Sequence, residues 1–183
     1  MSTQAQPDLR YPVGRFQMPH AVSAAERTEF IETIAATPAR LRAAVAGLGR
    51  EQLETAYRPG GWTVRQVVHH LADSHMNSYI RFKLALTEHE PEIKTYHEER
   101  WAELPDSALP IDVSLRLVED VHTRWVTLLR SMTVEQFARP LRHPQMGRMT
   151  LDQLLALYNW HGQHHVAHIT GLRQRMGWRS AQG

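Results

Sequence analysis

The residues of this chain best suited to chemistry are its histidines. There are 12 among 183 residues, and four of them lie within one eight-residue stretch: His161, His164, His165 and His168. On a helix, residues four apart project from one face, so His161 with His165 and His164 with His168 each form a pair that could share a metal ion. Imidazole is the commonest metal ligand and titrates near neutral pH. The cluster therefore predicts a metal site.

A third ligand must come from elsewhere, and the candidates are His69, His70 and His75. His70 borders an apolar stripe of its helix. The polar residues that follow it are Asp73, Ser74, Asn77 and Arg81. Polar side chains beside a buried face are costly unless they are satisfied, so they predict a solvated pocket. The histidines that are expected at the surface are His20, His75, His89, His97, His122 and His143.

Several kinds of site are excluded or lack support. The chain has no cysteine, so disulfides, thiolate zinc sites and a cysteine nucleophile are excluded. No HExxH, phosphate-binding or GxSxG motif is present. The net charge of +2 comes without a basic block, and no apolar run could span a membrane. We therefore expect no nucleic-acid or membrane partner and, without a signal peptide, a cytoplasmic location.

Helix starts are marked by a Ser or Thr followed three residues later by Glu or Gln. The four long helices predicted from these starts and from apolar periodicity cover residues 23–46 with a kink at Pro38, 63–88, 112–131 and 150–176. The apolar stripe assigned to the third helix consists of Val113, Leu117, Val121, Trp125 and Leu128. Residues 1–22 are expected to be irregular and 132–149 mostly loop, with no strand. The prediction is an all-α four-helix bundle with long connecting loops, in one domain over residues 1–183.

The motifs also resemble a known family. Trp62, the run from His70 to Asp73, and His161 with His165 on the last helix are similar to the DinB superfamily, most closely its YfiT-like branch. That branch includes metal-dependent hydrolases and bacillithiol transferases. The resemblance covers nearly the whole chain, through residues 11–14, 60–75, 77–83, 164–170 and 175–178.

The resemblance implies one divalent metal, zinc or nickel, held by His70, His161 and His165, with His69 as the rival third ligand. It places a histidine, His168, where the wider superfamily often has glutamine, which indicates a pocket residue. The residues expected to support the metal or line the substrate pocket are Asp73, Asn77, Arg81, His164 and His168. The resemblance also implies a homodimer, for which the five tryptophans and seven methionines give weak support.

A metal on three neutral imidazoles keeps open positions, the arrangement of catalytic sites. It can lower the pKa of bound water to ~7 or bind an external thiol as thiolate. The expected nucleophile is thus a metal-bound water or thiolate, and no side chain is assigned as the base. The preferred prediction is transfer of sulfur from a bacillithiol-like low-molecular-weight thiol to a small electrophilic substrate. The alternatives are metal-hydroxide hydrolysis of a small ester or amide, a non-catalytic metal-binding stress-response module, and a purely structural bundle.

Overall fold

Four long helices dominate the computed structural model, which describes residues 8–178. They are α1 (Ala24–Val45), α3 (Val64–Thr87), α5 (Ile111–Ser131) and α7 (Leu151–Arg175). Three of them begin at the predicted capping boxes, since Ser23, Thr63 and Thr150 each accept a hydrogen bond from the backbone N–H three residues later. The all-α bundle is therefore confirmed. No helix within residues 8–178 is long and apolar enough to cross a membrane.

Short elements occupy the long connections. These are α2 (Arg50–Leu53), α4 (Glu98–Trp101), a 3₁₀ turn (Pro105–Ala108), α6 (Val134–Phe137) and the strands β1 (Pro140–His143) and β2 (Gly147–Thr150). Residues 8–22 contain no helix or strand, as predicted for this segment, while residues 1–7 and 179–183 lie outside the described residues.

The order of the helices around the bundle differs from the order along the chain. α1 packs against α5 and α7, and α3 packs against the same two helices, so α1 and α3 occupy opposite corners. The long connections make this possible because consecutive helices need not be neighbours. α1 and α7 approach closely at Gly162, where a Cβ atom would lie 3.0 Å from Thr37 Oγ1. Because α3 contacts both α5 and α7, it is buried on two of its faces.

The expectation of no strand was wrong for residues 140–150. β1 and β2 form an antiparallel hairpin in which Leu141 pairs with Met149, and both side chains are buried. Each strand has four residues, too few to establish the alternating pattern that identifies a strand. Gly147 closes the turn with a positive φ of 76°.

The buried face of α5 was assigned correctly at Trp125 and wrongly at Val113 and Leu117. Val113 and Leu117 are exposed, whereas Leu115, Val118, Trp125 and Leu129 are buried. The true stripe contains His122, which occupies the position between Val118 and Trp125 and is only 2% exposed. A histidine in the middle of an apolar stripe interrupts the hydrophobic pattern. The face that carries Val113, Leu117 and Val121 has no such interruption, so its apolar pattern was chosen instead.

Candidate metal centre

Helices α3 and α7 bring three histidines to one point. His70 comes from α3, and His161 and His165 come from successive turns of α7. One ring nitrogen from each lies within 4.8 Å of the other two, and the Nε2 atoms of His70 and His161 are 3.3 Å apart. Two nitrogens bound to zinc at ~2.0–2.1 Å in tetrahedral geometry would be about 3.3–3.4 Å apart. The three imidazoles therefore fit a divalent metal. We call His70, His161 and His165 the clustered histidines, or the metal cluster.

The surroundings keep these three rings neutral. Burial, together with the neighbouring His164 and His168, lowers the pKa of His70 to about 3. Burial likewise lowers the pKa values of His161 and His165 well below the usual 6.5. Neutral imidazole has a free lone pair on one ring nitrogen, and metal binding requires that lone pair. At pH 7 all three rings are consequently in the form that binds a metal.

His165 shows that the protein alone does not satisfy the cluster. Its Nδ1 atom is buried, and its ring forms no hydrogen bond with any residue between 8 and 178. Trp62 covers the cluster from one side, with ring centroids 4.5 Å from His70 and 6.2 Å from His165. The Nδ1 atoms of the neighbouring His164 and His168 also lack a partner, so the unsatisfied polar atoms extend beyond the three clustered rings.

His69, the rival third ligand, is fully engaged elsewhere. Its Nδ1 lies 2.7 Å from Ser114 Oγ, and its Nε2 lies 3.1 Å from the Leu109 carbonyl. Both ring nitrogens thus link α3 to α5 and to the loop before it. His69 has no lone pair free for a metal in this arrangement.

His164 and His168 lie beside the cluster and contact the N-terminal segment. His164 stacks on Trp160 with centroids 4.2 Å apart, and His168 stacks on Tyr57 at 3.9 Å. His168 Nε2 donates to the carbonyl of Arg10 over 3.1 Å. No hydrogen bond joins either ring to the three clustered histidines. Their predicted supporting role stays a prediction.

The polar residues of α3 separate into two groups. Asn77 donates to the Asp73 backbone carbonyl, and the Asp73 carboxylate makes no hydrogen bond to a clustered ring within the described chain. Burial, followed by the neighbouring Asp106, raises the pKa of Asp73 to about 6. Arg81 is different: it is 7% exposed, donates from Nη2 to the Lys94 carbonyl, and has a buried Nε without a partner. Among residues 8–178 no carboxylate forms an ion pair with it.

Three further residues contact His161 or its neighbours, of which only Tyr158 was not named from the sequence. Ser74 Oγ lies 3.4 Å from His161 Nε2, and the Tyr158 hydroxyl donates to the Ser74 carbonyl over 3.1 Å. His75 Nε2 lies 3.2 Å from His161 Nδ1. Tyr158 is three residues before His161, so helical spacing could have identified it.

The surface prediction was wrong for His75, His122 and His143, all of which are buried. α3 packs against two helices, so it buries His75 on a different face from His70. His143 belongs to the hairpin that was expected to be loop. Burial lowers the pKa of each of these histidines below 6.5.

A cavity of about 640 Å³ opens beside the cluster. Trp62 and His164 line it, and both contact clustered rings. Its charged lining residues are Arg10, Arg58, Glu98, Glu99 and Glu103. A larger groove of about 1,030 Å³ lies between the α1–α2 connection and the start of α5, but none of the three clustered histidines lines it.

Comparison with known proteins identifies the family. The DinB superfamily profile matches residues 33–169. The chain belongs to the DinB superfamily. This DinB chain is 54% identical over 171 residues to proteins from Bacillus cereus strain 03BB102 and Bacillus thuringiensis subsp. konkukian, both named "Putative metal-dependent hydrolase". Each alignment covers 93% of this chain and 99% of the relative.

A solved structure is also similar throughout. It is YfiT from Bacillus subtilis, described as "a probable metal-dependent hydrolase with an unusual four-helix bundle topology". The TM-score is 0.91 at 50% identity, over 93% of the DinB chain described here and 99% of YfiT. The YfiT-like resemblance is thereby confirmed.

Proposed function

We propose that this DinB protein is a metal-dependent hydrolase whose divalent metal is held by His70, His161 and His165. The observation that carries the proposal is the convergence of three neutral ring nitrogens within 4.8 Å of one another, beside a cavity. The names of the Bacillus relatives support the same activity. The three-histidine donor set favours zinc, and imidazole also suits nickel.

The chain's own residues would prepare the site for this chemistry. When bound, the metal lowers the pKa of a water or thiol that it binds, which produces a nucleophile at neutral pH. Three neutral ligands leave the double charge of the metal uncompensated, which strengthens that effect. Trp62 covers the His70 and His165 rings and excludes water from that side.

Arg81 indicates the class of small-molecule substrate. Arg81 is buried and makes no direct ion pair within residues 8–178, although its charge reaches Glu98, where it acts against the rise that burial causes in the pKa of that carboxyl. A bound anion in direct contact would offset the remaining cost of burying the guanidinium. Arg81 is electrostatically close to His161 and Tyr158, because its charge is one cause of their pKa shifts. Its planar guanidinium matches the geometry of a carboxylate. We therefore propose a small substrate that carries an anionic group near its reacting end.

Removing one clustered histidine is expected to remove the metal. In the His70→Ala variant the affinity should fall by more than ~100-fold, since loss of an outer partner alone costs about 10–100-fold. Elemental analysis of purified protein would measure the stoichiometry, and circular dichroism would verify the helix content. The matched control is His69→Ala, on the next residue, which should keep one metal per chain. A wild-type metal content in His70→Ala would refute this ligand set.

Sulfur transfer is the second candidate function. Within residues 8–178, no carboxylate forms a hydrogen bond with a clustered ring, and we assign no side chain as a base that activates water. A thiol that loses its proton on binding needs no such base. Because the chain has no cysteine, that thiol must be an external small molecule. In the reaction, the new S–C bond forms as a leaving group departs from the electrophile with its electron pair.

The two candidates make opposite predictions about added thiol. For hydrolysis, para-nitrophenyl acetate should turn over without thiol, and cysteine should inhibit by occupying the metal. For sulfur transfer, chlorodinitrobenzene should be consumed only with cysteine, with saturation in cysteine and a thioether product in the mass spectrum. Serine serves as the matched control without sulfur, and metal content is measured after each assay. Thiol-independent ester turnover that cysteine suppresses would exclude the transferase.

A further inference from the structure

A chain of hydrogen bonds leads from the metal cluster through the whole bundle. His161 Nδ1 on α7 lies 3.2 Å from His75 Nε2 on α3. His75 Nδ1 lies 2.7 Å from His122 Nε2 on α5, and His122 Nδ1 lies 2.8 Å from the carbonyl oxygen of Ile34 on α1. Each of the four long helices contributes one member. We call these three histidines, with the Ile34 carbonyl, the histidine relay.

The carbonyl at the end determines the direction of every bond in the relay. A carbonyl oxygen can only accept, so His122 must carry its proton on Nδ1. A neutral imidazole has one donor and one acceptor nitrogen, so His122 Nε2 accepts from His75 Nδ1. By the same reasoning His75 Nε2 accepts from His161 Nδ1. His161 is left with its lone pair on Nε2, the atom that lies 3.3 Å from His70 Nε2.

Pro38 makes that carbonyl available. In an α-helix the carbonyl of Ile34 would accept the N–H of the residue four positions later, and here that residue is proline, which has no N–H. A proline inside a helix normally leaves this carbonyl unsatisfied. Here His122 donates to it instead. The feature of α1 that predicted a kink thus provides the fixed end of the relay.

The surroundings hold the relay rings in place. His75 is fully buried and His122 is 2% exposed. Trp125 contacts both rings edge-on, with centroids 5.9 Å from His75 and 5.7 Å from His122. Burial lowers the pKa of both rings, so both are stable in the neutral form. Rotation of either ring would break bonds at both of its ends.

We propose that His75 and His122 are positioning residues that fix the tautomer of His161, so that its Nε2 lone pair faces His70 and His165. This inference rests on the proposed metal site for its purpose, but the tautomer itself does not depend on a metal. Metal-ligating histidines in general donate their other N–H to a partner that fixes the ring. Here that partner is a second histidine, His75. The tautomer is set by the Ile34 carbonyl at the far end of the relay, which acts through His122 and His75.

The direct test is nitrogen-15 NMR of the metal-free wild-type protein at pH 8. The expected result is a proton on Nδ1 of His161, His75 and His122. A proton on Nε2 of His161 would overturn the assignment. If the tautomers are as expected but the wild-type protein binds no zinc, the proposed function fails and the relay does not.

The test of its purpose compares two variants of His122. Glutamine can donate to the Ile34 carbonyl and accept from His75, so His122→Gln should bind zinc within a few-fold of wild type. Leucine can do neither, so His122→Leu should show mixed His161 tautomers and bind zinc about 10–100-fold more weakly. Equal zinc affinities in the two variants would show that the relay is only structural.

A third variant covers the case in which His122→Leu does not fold. Pro38→Ala supplies an N–H that competes for the Ile34 carbonyl. Alanine suits the interior of a helix far better than proline, so the melting temperature should rise. If the relay positions His161, zinc affinity should fall several-fold despite this gain. A higher melting temperature with unchanged affinity would contradict the proposal.

Discussion

Acidification from pH 7 to pH 5 is expected to unfold the metal-free protein. The clustered histidines and the relay together contain five histidines whose pKa values burial strongly lowers, and these are His70, His75, His122, His161 and His165. In the unfolded chain each has its ordinary pKa near 6.5, so the unfolded state binds protons that the folded state cannot bind. Stability is therefore present above pH 6.5 and is lost as the pH falls below that value.

The expected loss is large. Each such histidine changes the free energy of unfolding by ~1.4 kcal/mol per pH unit once its unfolded form is protonated. Five together would change it by about 7 kcal/mol per unit, against a typical total stability of ~5–15 kcal/mol. Asp73, whose pKa is raised to about 6, acts in the opposite direction, but it is one group.

Urea titrations at pH 8, 7, 6 and 5 with a chelator present would measure this dependence. The His122→Gln variant should show a shallower pH slope, reduced by about one histidine. His89→Gln, at an exposed position, is the control and should leave the slope unchanged. A free energy of unfolding that stays constant from pH 7.5 to pH 5.5 would show that these rings are not buried in the neutral form.

The Arg81→Met variant is expected to lose activity toward anionic substrates selectively. Removing one partner of a buried charge pair costs about 2–5 kcal/mol, so kcat/KM for an anionic substrate should fall at least ~30-fold. For a neutral analogue of that substrate, kcat/KM should fall only a few-fold, because a neutral group forms no ion pair with the guanidinium. Metal content should not change, since no Arg81 atom bonds to a clustered histidine.

A matched pair of esters can measure the difference. The monoanion para-nitrophenyl hemisuccinate is compared with neutral para-nitrophenyl acetate, or the corresponding electrophiles if sulfur transfer is the activity. Arg65→Met is the control, because Arg65 pairs with Glu54 and lines the larger groove away from the cluster. Equal losses for the anionic and neutral substrates would remove the proposed role of Arg81.

The sequence predicted where the helices begin and end better than it predicted which of their faces are buried. Ser23, Thr63 and Thr150 are local signals, so the helix starts could be located without knowledge of the packing. The buried side of α5 depends on what surrounds it. His122 is stable in the core only because His75 and the Ile34 carbonyl satisfy both its nitrogens. No local pattern contains those distant partners.

The same limit applies to the site. The i, i+4 spacing indicated His161 and His165, but it could not choose between His69 and His70 on the other helix. That choice came from the family resemblance. In the structure Ser114 and the Leu109 carbonyl occupy both nitrogens of His69, which supports the proposal of His70. Leu109 lies just before α5 and Ser114 lies in its first turn. No rule of sequence spacing links these residues to α3.

Pro38 has a consequence for the way this family varies in evolution. The acceptor that fixes the relay is the backbone carbonyl of residue 34, which every amino acid has, so the relay places no demand on that side chain, which only its burial in the core restricts to apolar residues. What must be kept together is a proline at 38 and histidines at 75 and 122. Across relatives, these three positions should therefore co-vary, with loss of the proline accompanied by replacement of the histidines. Position 34, which makes the decisive hydrogen bond, should show no such correlation.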